Sequence, residues 1–337
     1  MLKITQKKGF KRTLLGAMLL LSGAAQAQDI GFSQFYANPL YLNPAFAGSA
    51  IAPRISLTYR AQWPGLVSAF TTVSASYDQY FPDLHGGLGF ILLTDRQGDH
   101  GALSTSFFGA MYSFRFQLSR DIYMSAALQA SIVNMHLNWN DYLRFPDQID
   151  ARMGFSYATG ATPPDKLTKW SPDFHAGLLV SGSQWYAGLA VAHLTQPNQA
   201  FYSEDPVPMK FTIHGGGMIN VAEESRRQSS LGLGSPIVSP NVVYQLQDGF
   251  NYFNYGVYLD WQPFLVGVWF RHGLENPDAF IFQAGFQHDY FKVGYSYDVT
   301  VSKMANATAG SHEFTLGFLL PIPEQKKKVR AIRCPSF

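Results

Sequence analysis

Residues 54–63, RISLTYRAQW, alternate without a break: Arg54, Ser56, Thr58, Arg60 and Gln62 hold one parity, and Ile55, Leu57, Tyr59, Ala61 and Trp63 the other. A helix returns to the same face every third or fourth residue, so strict alternation over this length specifies a strand with one polar and one apolar side. Pro53 and Pro64 bracket the window. Its length is the roughly 9–11 residues with which a tilted strand crosses a bilayer. Near the other end, FKVGYSYDV sets Phe291, Val293, Tyr295 and Tyr297 against Lys292, Gly294, Ser296 and Asp298, and the last window puts Phe314, Leu316, Phe318 and Leu320 on one face.

About 14 windows of this kind run along the chain by the strand signals of period two and flanking turn residues. They lie near 53–63, 69–81, 87–95, 101–115, 121–137, 172–182, 184–194, 209–220, 237–246, 250–261, 264–271, 279–287, 289–299 and 311–320. The connections after even-numbered windows are short: FPDLHG, LSRD, SGSQ, QP and HD. After odd-numbered windows come DRQGDHG, the long segment 138–171, QPNQAFYSEDPVPM, LENPD and TVSKMANATAG. Short turns on one side and long loops on the other are the habit of an outer-membrane barrel. One stretch, AEESRRQSSLGLGSP at 222–236, breaks the rule and is either a missed strand or a long periplasmic turn.

Composition narrows the class. Charged residues are 14% and aromatics 15%, where a soluble domain carries about 25% charge. No apolar run after the first residues approaches the roughly 20 that a spanning helix needs; the longest, FLVGVWF, is at 264–270. A chain poor in charge but not continuously apolar dilutes its apolar residues with small polar ones, as alternate lipid and lumen facing requires. The competing reading is a secreted soluble all-β protein, whose outward face would be rich in Lys and Glu rather than Ser, Gly and Thr.

The first 27 residues read as a secretory signal peptide: Lys3, Lys7, Lys8, Lys11 and Arg12 head an apolar run that ends at the small-x-small site Ala25-Gln26-Ala27. Its removal leaves 20 basic residues against 23 acidic ones, a net of −3, so nothing in the charge points to nucleic acid. The mature chain would start at Gln28 rather than at a cysteine, which speaks against a lipoprotein; Cys334 is the only cysteine, so no internal disulfide forms.

Between the signal peptide and the first strand lies SQFYANPLYLNPAFAG, with two Asn-Pro pairs five residues apart. That spacing suits neither a continuous helix nor a central strand. Yet the segment is too apolar for a solvated linker, so Phe35, Tyr36, Asn38, Pro39, Tyr41, Asn43, Pro44 and Phe46 are expected either to plug the barrel or to dock on a periplasmic partner. Arg54, Ser56, Thr58, Arg60 and Gln62 are the expected lumen face. The tail EQKKKVRAIRCPSF offers Lys326, Lys327, Lys328, Arg330, Arg333 and Cys334 as partner contacts, against the plainer role of a solvated tail.

Enzyme chemistry is absent from the pattern. His312-Glu313-Phe314 lacks the second histidine of a zinc-protease helix, the nine histidines show no closed metal-site spacing, and Gly215 to Gly217 precede no helix pattern that would cradle a phosphate. Neither a cofactor nor a metal is expected. The segment 138–171 exceeds the roughly 15 residues beyond which a loop is usually functional or disordered and is expected to bind a partner or cover the barrel mouth.

Taken in order, FSQFYANPLYLNPAFAG, ISLTYRAQWPGL, GVWFR, VGYSYDVTVSKM and GSHEFTLGF resemble the PorP/SprF family of outer-membrane proteins of the type IX secretion system of Bacteroidota, its porin-named branch more than its gliding-associated one. The resemblance implies an outer-membrane barrel without enzymatic activity. It serves protein secretion: export of cargo bearing a C-terminal sorting domain and attachment of that cargo at the cell surface. It also implies work beside the periplasmic ring and the peptidoglycan-associated proteins. A porin or substrate-specific channel is the alternative.

The chain is thus expected to be all-β, a transmembrane antiparallel β-barrel of about 14 strands. Its parts would be a signal peptide at 1–27, an irregular segment at 28–52, the barrel at 53–320 in contact with outer-membrane lipid, and a basic tail at 321–337, with both termini periplasmic.

Overall fold

The computed structural model describes residues 29–50, 52–66, 69–98, 101–139, 143–150, 152–221, 235–274, 276–302 and 308–321. The signal peptide, residues 222–234 of the 222–236 stretch that broke the turn rule, and the tail residues Lys326, Lys327, Lys328, Arg330, Arg333 and Cys334 lie outside them.

Every alternating window is a strand. In chain order these are β1 (Arg54–Gln62), β2 (Phe70–Phe81), β3 (Gly86–Gln97), β4 (Leu103–Gln117) and β5 (Tyr123–Leu137); a small hairpin of β6 (Ile149–Asp150) and β7 (Gly154–Phe155) inside a loop; then β8 (Thr168–Ser181), β9 (Trp185–Ala192) and β10 (Lys210–Gly217). The two-residue β11 (Ile219–Asn220) continues β10, and β12 (Ile237–Gln247), β13 (Phe250–Trp261), β14 (Phe264–His272), β15 (Pro277–Gln287), β16 (Phe291–Thr300) and β17 (Ser311–Leu319) complete the set. Each long strand pairs antiparallel with its neighbours, β10 pairs β12, and β1 pairs β17 in register from Arg54↔Leu319 to Gln62↔Ser311. The sheet therefore closes into an antiparallel barrel of 14 long strands among the described residues. Closure removes the unpaired edge that could not be satisfied in lipid.

Alternation sets the two faces. On β1, Arg54, Ser56, Thr58 and Arg60 are buried inside while Leu57 and Tyr59 are exposed outside. Outward side chains along the strands include Leu92, Leu128, Ile132, Leu189, Val257 and Val266, and Phe116, Trp185, Trp261, Phe264 and Tyr290 stand exposed at the short-turn end. An apolar band edged by aromatic side chains is how a barrel meets a bilayer and its interface.

Two expectations need correction. β8 starts at Thr168 rather than 172, and so runs through Pro172, which sits opposite Ile132 of β5. The pairing of β8 with β9 begins only at Ala176↔Val191, so the missing N–H of Pro172 falls where β8 is paired on one side. The turn rule also has a second exception: β12 and β13 meet through Asp248-Gly249 alone, at the end that otherwise carries long loops. Both residues take positive φ, +44° and +82°, which lets two residues close a hairpin whose twist matches its strands.

The buried apolar cluster lies inside the barrel. It combines Phe35, Tyr36, Leu40, Leu42, Ala45, Phe46 and Ala47 of the N-terminal segment with wall residues such as Ile91, Met111, Leu179, Tyr186, Tyr258, Trp269 and Ile281.

Candidate functional site: a filled lumen

Residues 29–50 form an irregular but packed body within the barrel, and the two Asn-Pro pairs explain its shape. Each proline starts a single helical turn, Pro39–Leu42 and the 3₁₀ turn Pro44–Phe46. The spacing that rules out one long helix thus permits two short ones, because proline lacks only a donor that the first helical position leaves unused anyway. Asn43 holds the second turn: its Oδ1 accepts from Ala45 N at 2.9 Å, and its Nδ2 donates to Leu178 O at 3.0 Å and Leu189 O at 3.3 Å on the wall. Asn38 accepts from the Thr58 hydroxyl at 3.0 Å. Tyr41 donates to Ile30 O at 2.7 Å and lies 5.0 Å from the Lys210 ammonium, a cation–π distance.

Part of the wall receives this body by apolar packing. Phe35 lies 5.3 Å from Trp269, Tyr36 meets Tyr186 edge-on at 5.6 Å, and Phe46 stacks on His214 at 5.3 Å. Full burial of a side chain of this size contributes about 1.5–3 kcal/mol. The approach is close enough to require glycine. A Cβ at Gly87 would stand 2.2 Å from Ala47 O, and one at Gly177 would stand 2.1 Å from Asn43 Oδ1.

β1, β2, β16 and β17 grip the same body with charge, and Lys210 and His193 do so at its start, on Asp29. Glu313 accepts from Ser33 N at 2.7 Å and Gln34 N at 3.1 Å; Arg60 bridges Glu313 at 3.0 Å and Asp298 at 3.1 Å and donates to Ser33 Oγ at 2.6 Å. Arg54 pairs with Asp78 at 2.8 Å, and Asp78 in turn accepts from Gly48 N at 2.8 Å. Buried ions at membrane depth are expensive unless paired and fully hydrogen-bonded. Here the partners include the backbone N–H groups of an irregular segment that no ladder satisfies.

The residues expected in the lumen and those of the N-terminal segment therefore meet: Arg54, Thr58 and Arg60 all bond to residues 29–50 or to their direct partners, Ser56 is buried on the same face, and Gln62 is half-buried at the end of β1. His312 and Glu313, read together in the sequence, are sent by alternation to opposite faces. Glu313 binds the segment inside, while His312 meets the Tyr295 hydroxyl at 2.8 Å.

At the long-loop end, the β5–β8 loop is organised by two aspartates. Asp150 accepts from Arg152 N at 2.7 Å, Met153 N at 2.9 Å and Tyr157 Oη at 2.8 Å, and Asp147 accepts from Gly160 N at 2.6 Å and the Thr159 hydroxyl at 3.0 Å. These bonds favour the ionised forms: Gly160 N–H first of all holds Asp147 below its ordinary pKa, Arg152 N–H does the same for Asp150, and the bond to Asp150 raises Tyr157. Ile149, Met153, Phe155 and Tyr157 remain exposed on this loop, and Tyr202 of the next loop ties to it through Thr162 O at 3.1 Å.

Spacing alone missed one constellation. Asp173 and His175 are two apart on β8 and hence on one face, and His193 follows β9, which runs back alongside; the three converge at the long-loop end of the lumen. The signal was available in the Asp-x-His pair on an alternating strand, but only the strand pairing shows that His193 joins it.

Similar barrels are found among solved structures at low identity: the toluene transporter TbuX of Ralstonia pickettii (11% identity, TM-score 0.46, 88% of this chain and 94% of that one), a FadL homologue of Pseudomonas aeruginosa (12%, 0.43, 87% and 99%) and Omp33 of Acinetobacter baumannii (8%, 0.42, 80% and 100%). No curated protein matches the chain. A family model, described as type IX secretion system membrane protein PorP/SprF, matches residues 24–318. That match spans both the segment in the lumen and every strand but the end of the last, and by it the chain belongs to the PorP/SprF family of type IX secretion system membrane proteins.

Proposed function

We propose that the protein is a non-enzymatic, plugged outer-membrane barrel of the porin-named branch of its family, supporting the export or surface attachment of cargo with a C-terminal sorting domain. The filled lumen carries this reading. Phe35, Tyr36, Leu40 and Phe46 occupy the centre of the barrel, and buried ion pairs on the wall are used up in holding them. A diffusion channel needs the opposite, a polar lumen open to water.

With the channel blocked, function falls to the two ends. The long-loop end would face outward and the short-turn end, where β17 finishes, would face the periplasm. There the tail residues Lys326, Lys327, Lys328, Arg330 and Arg333 would meet the periplasmic ring or a peptidoglycan-associated protein. The expectation of both termini on that side needs correction, because the N-terminal segment starts at the long-loop end, where Asp29 meets His193 and Lys210.

Planar-bilayer recording tests the plug. The full mature chain is expected to be silent, and a chain lacking residues 29–50 that still shows heat-modifiable mobility is expected to conduct; steady conductance by the full chain would sink the proposal. A clean deletion strain tests the role, with sorting-domain cargo stranded in the periplasm or lost to the medium as the expected outcome and normal surface display as the contrary one. Cys334, the only cysteine, serves for topology. An impermeant maleimide should label it only after the outer membrane is opened, and labelling on intact cells would reverse the orientation.

A further inference from the structure

We propose that Asp173, His175 and His193 bind a divalent transition-metal ion of the zinc class, and that the ion fastens the start of the N-terminal segment to the barrel wall. The side chains approach as ligands do. Asp173 Oδ2 lies 2.6 Å from His193 Nδ1 and 3.0 Å from His175 Nε2, and one ligand atom from each of the three falls within 4.8 Å of the others. Ligands at about 2.0–2.2 Å from a tetrahedral ion stand about 3.3 Å apart, so the set needs adjustment rather than rebuilding. In the present arrangement both imidazoles spend a nitrogen on one carboxylate oxygen. Turning those nitrogens from donors into ligands lets a single cation replace two hydrogen bonds to the same acceptor.

The surroundings support the set from behind. His193 Nε2 faces Asp29 Oδ2 at 2.9 Å, and Asp29 is itself paired to the Lys210 ammonium at 2.7 Å. A carboxylate on the far nitrogen of a ligating histidine fixes its tautomer and raises its basicity. Asp173 keeps its other oxygen on Phe174 N at 2.8 Å, which orients the carboxylate. The imidazole side chains of His175 and His193 retain 15% and 10% of their surface, so an ion can reach them from the long-loop end. Two imidazoles with one carboxylate suit zinc, nickel, copper or iron and do not suit calcium or magnesium, which require oxygen ligands. Because Asp29 belongs to the N-terminal segment and Asp173, His175 and His193 to the wall, an ion here couples metal to plug.

The test uses the full mature chain, free of any histidine tag, in detergent. Calorimetry with zinc should give one saturable equivalent, and cobalt should give visible d–d absorption that zinc quenches. His175→Ala and His193→Ala should each weaken zinc by at least 100-fold, Asp29→Asn by roughly 10–100-fold as an outer partner, and His136→Ala not at all. His175→Ala serves as the deciding variant if His193→Ala fails to fold, since His175 contributes a single bond to Asp173. The proposal is overturned by the absence of stoichiometric zinc binding, by affinity unchanged in the folded His175→Ala protein, or by calcium competing equally for the site.

Discussion

Two stretches of this chain are irregular and aromatic, and they end in opposite environments. Residues 29–50 bury Phe32, Phe35, Tyr36 and Phe46 inside the barrel, whereas the β5–β8 loop leaves Ile149, Met153, Phe155 and Tyr157 exposed at its rim. Apolar content does not separate them. The difference lies in where their backbone groups find partners. The loop satisfies its own turns through Asp147 and Asp150 and can stand in water. The N-terminal segment closes its short turns on itself but needs Glu313, Asp78 and Gln283 of the wall for the backbone of Ser33, Gln34 and Gly48, with Asn43 bonding the carbonyls of Leu178 and Leu189, and is therefore completed only inside the barrel.

The sharpest test of that contrast removes one aromatic ring from each stretch. Phe46→Ala should destabilise the detergent-solubilised barrel by about 3–5 kcal/mol, as a buried aromatic does on truncation, while Phe155→Ala should stay within about 0.5 kcal/mol; denaturant unfolding measures both, and equal effects would erase the distinction. A smaller effect is expected when the fit rather than the anchor is disturbed. Gly87→Ala sets a methyl 2.2 Å from Ala47 O, an overpacking of about 1–3 kcal/mol, and it should expose the N-terminal segment to protease while leaving the strands protected. Unchanged proteolysis would mean that the close approach is dispensable.

Acid should then act on the loop. Asp147 and Asp150 have folded pKa values below the ordinary 3.8, so their contribution to loop order is complete above that value and is lost as pH falls through the depressed folded values. Hydrogen exchange at Arg152, Met153 and Gly160 should accelerate below about pH 3.8 with the barrel intact. Protection that persists at still lower pH would show that the loop is held by its contacts with Tyr202 instead.

Much of the barrel was legible in the sequence because a two-residue period repeats in every strand and turn residues interrupt it. Boundaries slipped in places: β8 starts four residues before its window and tolerates Pro172 on its singly paired part, and Asp248-Gly249 closes a two-residue hairpin at the end that otherwise carries long loops. The segment with two Asn-Pro pairs was legible as irregular and apolar, but not the pairing of Arg60 with both Asp298 and Glu313, which joins residues more than 200 positions apart. The same holds for His193 beside Asp173 and His175.

By itself, the sequence determined which residues alternate, where the chain turns, that two prolines forbid a long helix, and which family the chain resembles. Each of these is written in neighbours along the chain. Only the closed barrel decided that the irregular segment fills the lumen, that apolar packing and buried ion pairs both hold it to the wall, and that an aspartate and two histidines converge at one rim. Those outcomes depend on which strand lies beside which. Closure sets that order by pairing β1 with β17 and β10 with β12, and it leaves an interior whose buried donors and acceptors must be met by whatever is enclosed.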